Sequence, residues 1–209
     1  QPHGFARSSI FGVTENTGSE ITFTLMSNPD TLEAYPFRFE LSVSYALVGN
    51  SIAMTYTVKN LDSGTMYFAL GGHPGFNVPL CRDEAFENYF LEFDSECAPR
   101  SLVITNTGYY PGQTTPYPLE DGRRIPLKHS LFDIEGLFLC DMARGVSLKS
   151  KKSDKCVHLS FPDFKYVGFW HNAKTDAPFV CIEPWSGVPA DGVTVDNLSA
   201  KPDITALNP

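Results

Sequence analysis

The sequence predicts an all-β fold, an antiparallel sandwich, and three observations carry that prediction. Apolar residues alternate with polar ones over long stretches, short apolar runs are separated by Pro- and Gly-rich connections, and helical periodicity is scarce. The strand–helix–strand spacing that a parallel sheet requires is absent.

The elements follow in order. A strand is expected at 21–25. Phe37, Phe39, Leu41, Val43, Tyr45 and Leu47 then share one face while Arg38, Glu40, Ser42, Ser44 and Ala46 take the other, the pattern of a half-buried strand. Val48-Gly49-Asn50-Ser51 turns the chain, and Ile52, Met54, Tyr56 and Val58 resume the alternation, so a long hairpin is expected over about 37–58. Met66-Tyr67-Phe68-Ala69-Leu70 reads as a buried strand that the following glycines and proline break. Asp83 to Asn88 fits a single helical turn, and Tyr109 to Pro118 reads as a long ordered loop. Further strands are expected at 89–93, 146–149, 157–161, 166–170 and 179–183. No repeat of fixed period and no low-complexity tract interrupts them.

A chain of 209 residues with 42% apolar content suits one soluble domain. No run approaches the roughly 18 apolar residues of a membrane span, and the first residues lack the shape of a signal peptide, so a cytoplasmic location is expected. The formal net charge of −8 disfavours nucleic acid and anionic membrane as partners, because both reward a positive surface, and neither is expected. Lys149, Lys151, Lys152 and Lys155 form the one basic cluster, placed to cap a hairpin as a solvated turn. Cys81, Cys97, Cys140, Cys156 and Cys181 are odd in number and form no CxxC pair; they read as reduced, buried thiols.

Two segments each place one proton-handling side chain at the end of an apolar run. Gly71-Gly72-His73-Pro74-Gly75-Phe76-Asn77 presents His73 in a loop. Phe179-Val180-Cys181-Ile182 leads into Glu183, with Pro184 and Trp185 behind it. A histidine near neutrality and a desolvated carboxylate are the minimum for paired acid and base work. Each also has a plainer role, His73 as a loop cap and Glu183 as an ion-pair partner.

These two motifs, together with His3-Gly4-Phe5-Ala6-Arg7 and Tyr35-Pro36-Phe37-Arg38-Phe39, stand in an order that resembles the aldose 1-epimerases, or mutarotases. Within that superfamily the LacX-like branch and the hexose-6-phosphate epimerases are the most similar. The resemblance covers nearly the whole chain. It implies the large twisted β-sandwich of the mutarotases, a sugar substrate, Glu183 as the base, His73 as the acid and Arg7 as a substrate anchor. The family also has a sugar-binding carboxylate after Leu-Phe; here Leu131-Phe132-Asp133-Ile134-Glu135-Gly136-Leu137 offers Glu135, with Asp133 as a rival. Trp170, beside His171 at a strand end, has an indole face suited to a pyranose, or equally to the core. His3 is left without a role. Relatives build several strands before the first motif, which begins here at residue 3, so the natural polypeptide is expected to be longer at its N-terminus.

Interconverting anomers needs the C1 hydroxyl deprotonated and the ring oxygen protonated, for which one base and one acid suffice. No cofactor or metal is implied, and the nucleophile-elbow, phosphate-loop, HExxH and EF-hand motifs are absent. Two other classes compete. A carbohydrate-binding or sensing module would not require a matched acid and base, and a glycoside hydrolase would require two carboxyls where only Glu183 is well placed. Oligomeric state is left open.

Overall fold

The computed structural model describes residues 3–134, 136–193 and 197–209. The chain divides into two compact units, Gln1–Tyr67 with Ala206–Pro209, and Phe68–Thr205. Both are built from antiparallel strands, as expected.

In the first unit β1 (Gly12–Asn16), β2 (Glu20–Met26), β3 (Phe39–Val48) and β4 (Ser51–Asn60) form one sheet in that order. The predicted hairpin is present with its turn where expected, Val48 pairing with Ser51, and its outer ends lie at Phe39 and Asn60 rather than at 37 and 58. Its burial departs from expectation. Phe39 and Leu41 are buried at the root, whereas Leu47, Val48 and Ile52 at the tip are exposed. Alternation reports which face a side chain takes and not how far along the strand that face is covered. The polar face satisfies itself by hydroxyl pairs, with Thr24 bonded to Thr14 and Ser42, and Thr22 to Ser44, at 2.8–2.9 Å.

A short helix α1 (Pro29–Ala34) was not anticipated, although its signal is present: Asn28 caps it in a reciprocal capping box with Thr31, and Pro29 opens it. Behind it Tyr35, Phe37 and Phe39 cluster with Phe5, whose ring lies 5.6 Å from Tyr35 and 5.5 Å from Phe39. Two of the sequence motifs thus meet in one aromatic knot. Two further short strands, β5 (Met66–Phe68) and β16 (Thr205–Leu207), pair with each other. The first is shorter than the expected 66–70.

The second unit is a sandwich. One sheet runs β10 (Arg124–Pro126), β7 (Tyr89–Phe93), β12 (Gly145–Ser150), β13 (Cys156–Ser160). The other runs β6 (Gly75–Asn77), β15 (Phe179–Trp185), β14 (Tyr166–Trp170), β11 (Leu137–Cys140), β8 (Arg100–Leu102), β9 (Thr114–Pro116). Leu91, Phe93, Val146 and Leu148 from the first sheet pack against Leu137, Leu139, Val167, Phe169, Val180 and Ile182 from the second. Phe169 is fully buried against Phe93, and truncating it to alanine would cost about 3–5 kcal/mol.

Strands of three or four residues escaped the sequence reading because period two needs a longer run to register. One of them, β9, lies inside the segment expected to be a loop, where Thr114 and Thr115 pair with Leu102 and Ser101. The helical turn is confined to a 3-10 turn at Phe86–Asn88. The lysine cluster caps the β12–β13 hairpin as expected, although Lys149 also reaches Glu92 at 3.5 Å. All five cysteines are free, but only Cys181 is buried, and Cys156 is exposed. Among the described residues no helix is long and apolar enough to cross a membrane.

Candidate active site

The site forms on the face of the six-stranded sheet that turns away from the core. Along β15, Val180 and Ile182 point inward, so Cys181, Glu183 and Trp185 share the opposite face. Cross-strand pairing adds Gly168, opposite Glu183, and Trp170, opposite Cys181. Phe138 follows on β11, opposite Gly168.

The GGHPGFN segment is an edge to this sheet rather than a free loop. Gly71 bridges to Trp185, Gly72 N–H donates to the Pro184 carbonyl at 3.0 Å, and Ile182 N–H donates to the Pro74 carbonyl at 3.1 Å. Gly75, Phe76 and Asn77 then pair with Cys181, Val180 and Phe179. Backbone bonds on both sides of His73 therefore fix it across from Glu183. At Gly71 a Cβ would stand 2.8 Å from the Trp185 ring, so only glycine lets the backbone approach this closely.

His73 Nε2 lies 3.2 Å from Glu183 Oε1. The two side chains differ sharply in access, with the imidazole 42% exposed and the carboxyl only 4%. Burial pushes the Glu183 carboxyl up to about 7, partly offset by a hydrogen bond that the Trp185 indole N–H donates to it. The indole is itself stacked on Phe138 at 4.8 Å, over the space left by Gly168, where a Cβ would strike the Phe138 ring at 2.8 Å. Trp170 meets the His73 ring edge to face at 5.7 Å. A histidine reachable from solvent beside a carboxyl that titrates near neutrality can donate one proton and accept another at a single small-molecule centre.

Of the sequence candidates, the structure brings His73, Glu183 and Trp170 together. Arg7 is exposed in a 3-10 turn, Ala6–Ser8, of the first unit, and His3 is exposed there with a left-handed φ of 65°. Glu135 lies outside the described residues; its rival Asp133 is exposed at the end of the 3-10 turn His129–Phe132. His171 is fully buried, with Nδ1 2.8 Å from the Asn172 carbonyl and Nε2 3.3 Å from His129, so it belongs to the core. The hydrogen bond from the Trp185 N–H is a contribution that the sequence analysis does not assign. The spacing of two between Trp185 and Glu183 on a strand was the available signal. Phe138 carried no such signal, since its place depends on register with β14. A separate cleft lined by Tyr117, Glu120, Arg124 and Lys128 lies elsewhere on this unit and contains no histidine.

Residues 1–197 match the family of aldose 1-epimerases. The chain belongs to the aldose 1-epimerase family. It is 36% identical over 213 residues to the LacX proteins of Lactococcus lactis, chromosomal and plasmid, with 99% of this chain and 70% of theirs covered. A galactose mutarotase related enzyme from Lactobacillus acidophilus superposes with a TM-score of 0.92 at 30% identity, over 99% of this chain and 69% of that one. A galactose mutarotase-like protein from Lactobacillus casei gives 0.87 at 34% identity, over 99% and 71%. The mutarotase-like β-sandwich expected from the motifs is the fold of this aldose 1-epimerase family member.

Proposed function

We propose that this protein is an isomerase that interconverts the α and β anomers of a hexose or hexose 6-phosphate, with Glu183 as base and His73 as acid. The observation that supports this most directly is the 3.2 Å approach of His73 Nε2 to Glu183 Oε1, joined to a carboxyl pushed up to about 7. The hydroxyl oxygen and the ring oxygen to be handled are both bonded to C1, so acid and base must stand close together. This pair does.

In the proposed cycle the Glu183 carboxylate accepts the proton of the C1 hydroxyl while protonated His73 donates to the ring oxygen. The bond from C1 to the ring oxygen breaks, C1=O forms, and the open aldehyde turns about the bond from C1 to C2. Closure reverses both transfers on the other face, and each side chain ends as it began. Each proton transfer contributes about 10²–10⁴-fold to the rate. The half-buried Trp170 and Trp185 offer indole surface beside the dyad for the C–H face of a pyranose. Arg7 and Glu135 are proposed as substrate contacts on the family resemblance, Arg7 because a guanidinium fork suits hydroxyls or phosphate.

The test is polarimetric relaxation of freshly dissolved α-glucose, α-galactose and α-glucose 6-phosphate, with and without protein. Accelerated relaxation that falls at least about a hundredfold in Glu183→Gln is the expected result. Absence of acceleration with every sugar would overturn the reading, and release of monosaccharide from oligosaccharides would replace it with hydrolysis.

A further inference from the structure

Cys181 is the group at this site for which acid–base chemistry has no use. Its sulfur shares the face of Glu183, two residues along β15, and sits across from exposed Gly75, which places no side chain over it. His73 and Glu183 each offer one ligand atom alongside this Sγ, and the three atoms lie within 4.8 Å of one another. A tetrahedral zinc ion binds imidazole nitrogen and carboxylate oxygen at about 2.0–2.2 Å and thiolate sulfur at about 2.3 Å, which sets its donors about 3.3–3.7 Å apart. The His73–Glu183 spacing of 3.2 Å falls just short of that range, and the Cys181 sulfur, within 4.8 Å of both, has to draw closer for all three to ligate one ion.

From this juxtaposition we infer that His73, Cys181 and Glu183 form an inhibitory site for a thiophilic divalent cation of the zinc class. One nitrogen, one sulfur and one oxygen donor suit a borderline-soft ion and disfavour magnesium or calcium, which take oxygen ligands. The exposed edge of His73 gives the ion its entry and leaves a fourth position to water. Binding displaces to solvent the thiol proton of Cys181 and the proton of Glu183 where its carboxyl carries one, so the bound species are a thiolate and a carboxylate. The metal then holds the His73 nitrogen and the Glu183 oxygen that the proposed proton transfers need. The inhibition, though not the binding, rests on the function proposed above.

Cobalt(II) is the probe for binding, because a cobalt–thiolate bond gives a charge-transfer absorption in the near ultraviolet. Titration of the full chain is expected to develop this band at one equivalent, and zinc is expected to abolish it. The band is expected to vanish in Cys181→Ser, to persist in Cys156→Ser, and to require about tenfold more cobalt or still more in Glu183→Gln, which keeps the side chain's shape. Circular dichroism of each variant separates ligand loss from misfolding. A band that survives in Cys181→Ser, or that disappears only in Cys156→Ser, would place the metal elsewhere and overturn the proposal. For inhibition, zinc is expected to slow mutarotation at least about tenfold at saturation, competitively with sugar and reversibly by chelator. Cys181→Ser, compared with its own zinc-free rate, is expected to resist. A Cys181-dependent band with an undiminished rate would overturn the inhibitory role. The same band in a protein that accelerates no sugar would leave the cation site standing and remove the isomerase reading.

Discussion

His73 and Glu183 are register partners in an antiparallel ladder, because Gly71 faces Trp185 and Gly75 faces Cys181 on either side of them. Their 3.2 Å separation is therefore set by main-chain pairing, and the carboxyl is held buried, only 4% of it exposed. That enforced burial has a measurable consequence for stability.

Glu183→Gln is expected to inactivate the protein and to stabilise it above neutral pH. The carboxyl titrates near 7 in the folded chain against an ordinary 4.5, so folding favours its protonated form. The associated stability is complete below about pH 4.5 and is lost as pH rises through 7. Glutamine carries no charge to bury. The stability difference between variant and wild type should therefore grow by about 2–3 kcal/mol between pH 4.5 and pH 8. Urea unfolding at the two pH values measures it, and a difference independent of pH would mean that Glu183 is solvated.

Trp185→Phe keeps an aromatic ring for the stack on Phe138 and removes the N–H that holds the Glu183 carboxylate down. The carboxyl should then ionise later. A hydrogen bond to a charged group is worth about 1.5–3 kcal/mol, so even partial replacement by water leaves a shift of about one pH unit upward in the acidic limb of the pH–rate profile. A slower variant with an unmoved profile would assign Trp185 to packing alone.

His73→Asn retains a hydrogen-bonding group opposite Glu183 but cannot deliver a proton near neutrality. A loss of about a hundredfold or more in mutarotation, with unfolding little changed, is expected because the side chain is partly exposed and its backbone is pinned by its neighbours. Retained activity would require a different acid.

Arg7→Ala is expected to raise KM more than it lowers kcat, as for a group that contacts substrate and transition state alike. If phosphate is its partner, the loss will be larger for hexose 6-phosphate than for the free sugar, because charge-assisted contacts are stronger. Equal losses would remove phosphate from its role.

Much of this was legible in the sequence where a signal is long or chemically loud. The alternation from Phe37 to Val58 gave the hairpin, and the glycines around His73 gave the interruption of an apolar run. Two things were not legible, for physical reasons. Strands such as Arg100–Leu102 and Leu137–Cys140 are too short to display a period, and they exist because longer neighbours pair with them. The neighbourhood of the dyad is likewise a product of register: Phe138 reaches Trp185 only because Gly168 opposes it, a relation between residues 30 positions apart that no local pattern encodes. The hydroxyl pairs of β1–β3 would have required the same knowledge.

The main-chain clasp on either side of His73 separates two inheritances. Gly72 N–H to the Pro184 carbonyl and Ile182 N–H to the Pro74 carbonyl use no side-chain functional group, so they do not depend on which side chains occupy this face of the sheet. A change of the side chains around the dyad therefore leaves the backbone that positions His73 and Glu183 undisturbed. On the proposed roles, by contrast, a single substitution at His73 or Glu183 removes the chemistry and leaves this backbone clasp in place.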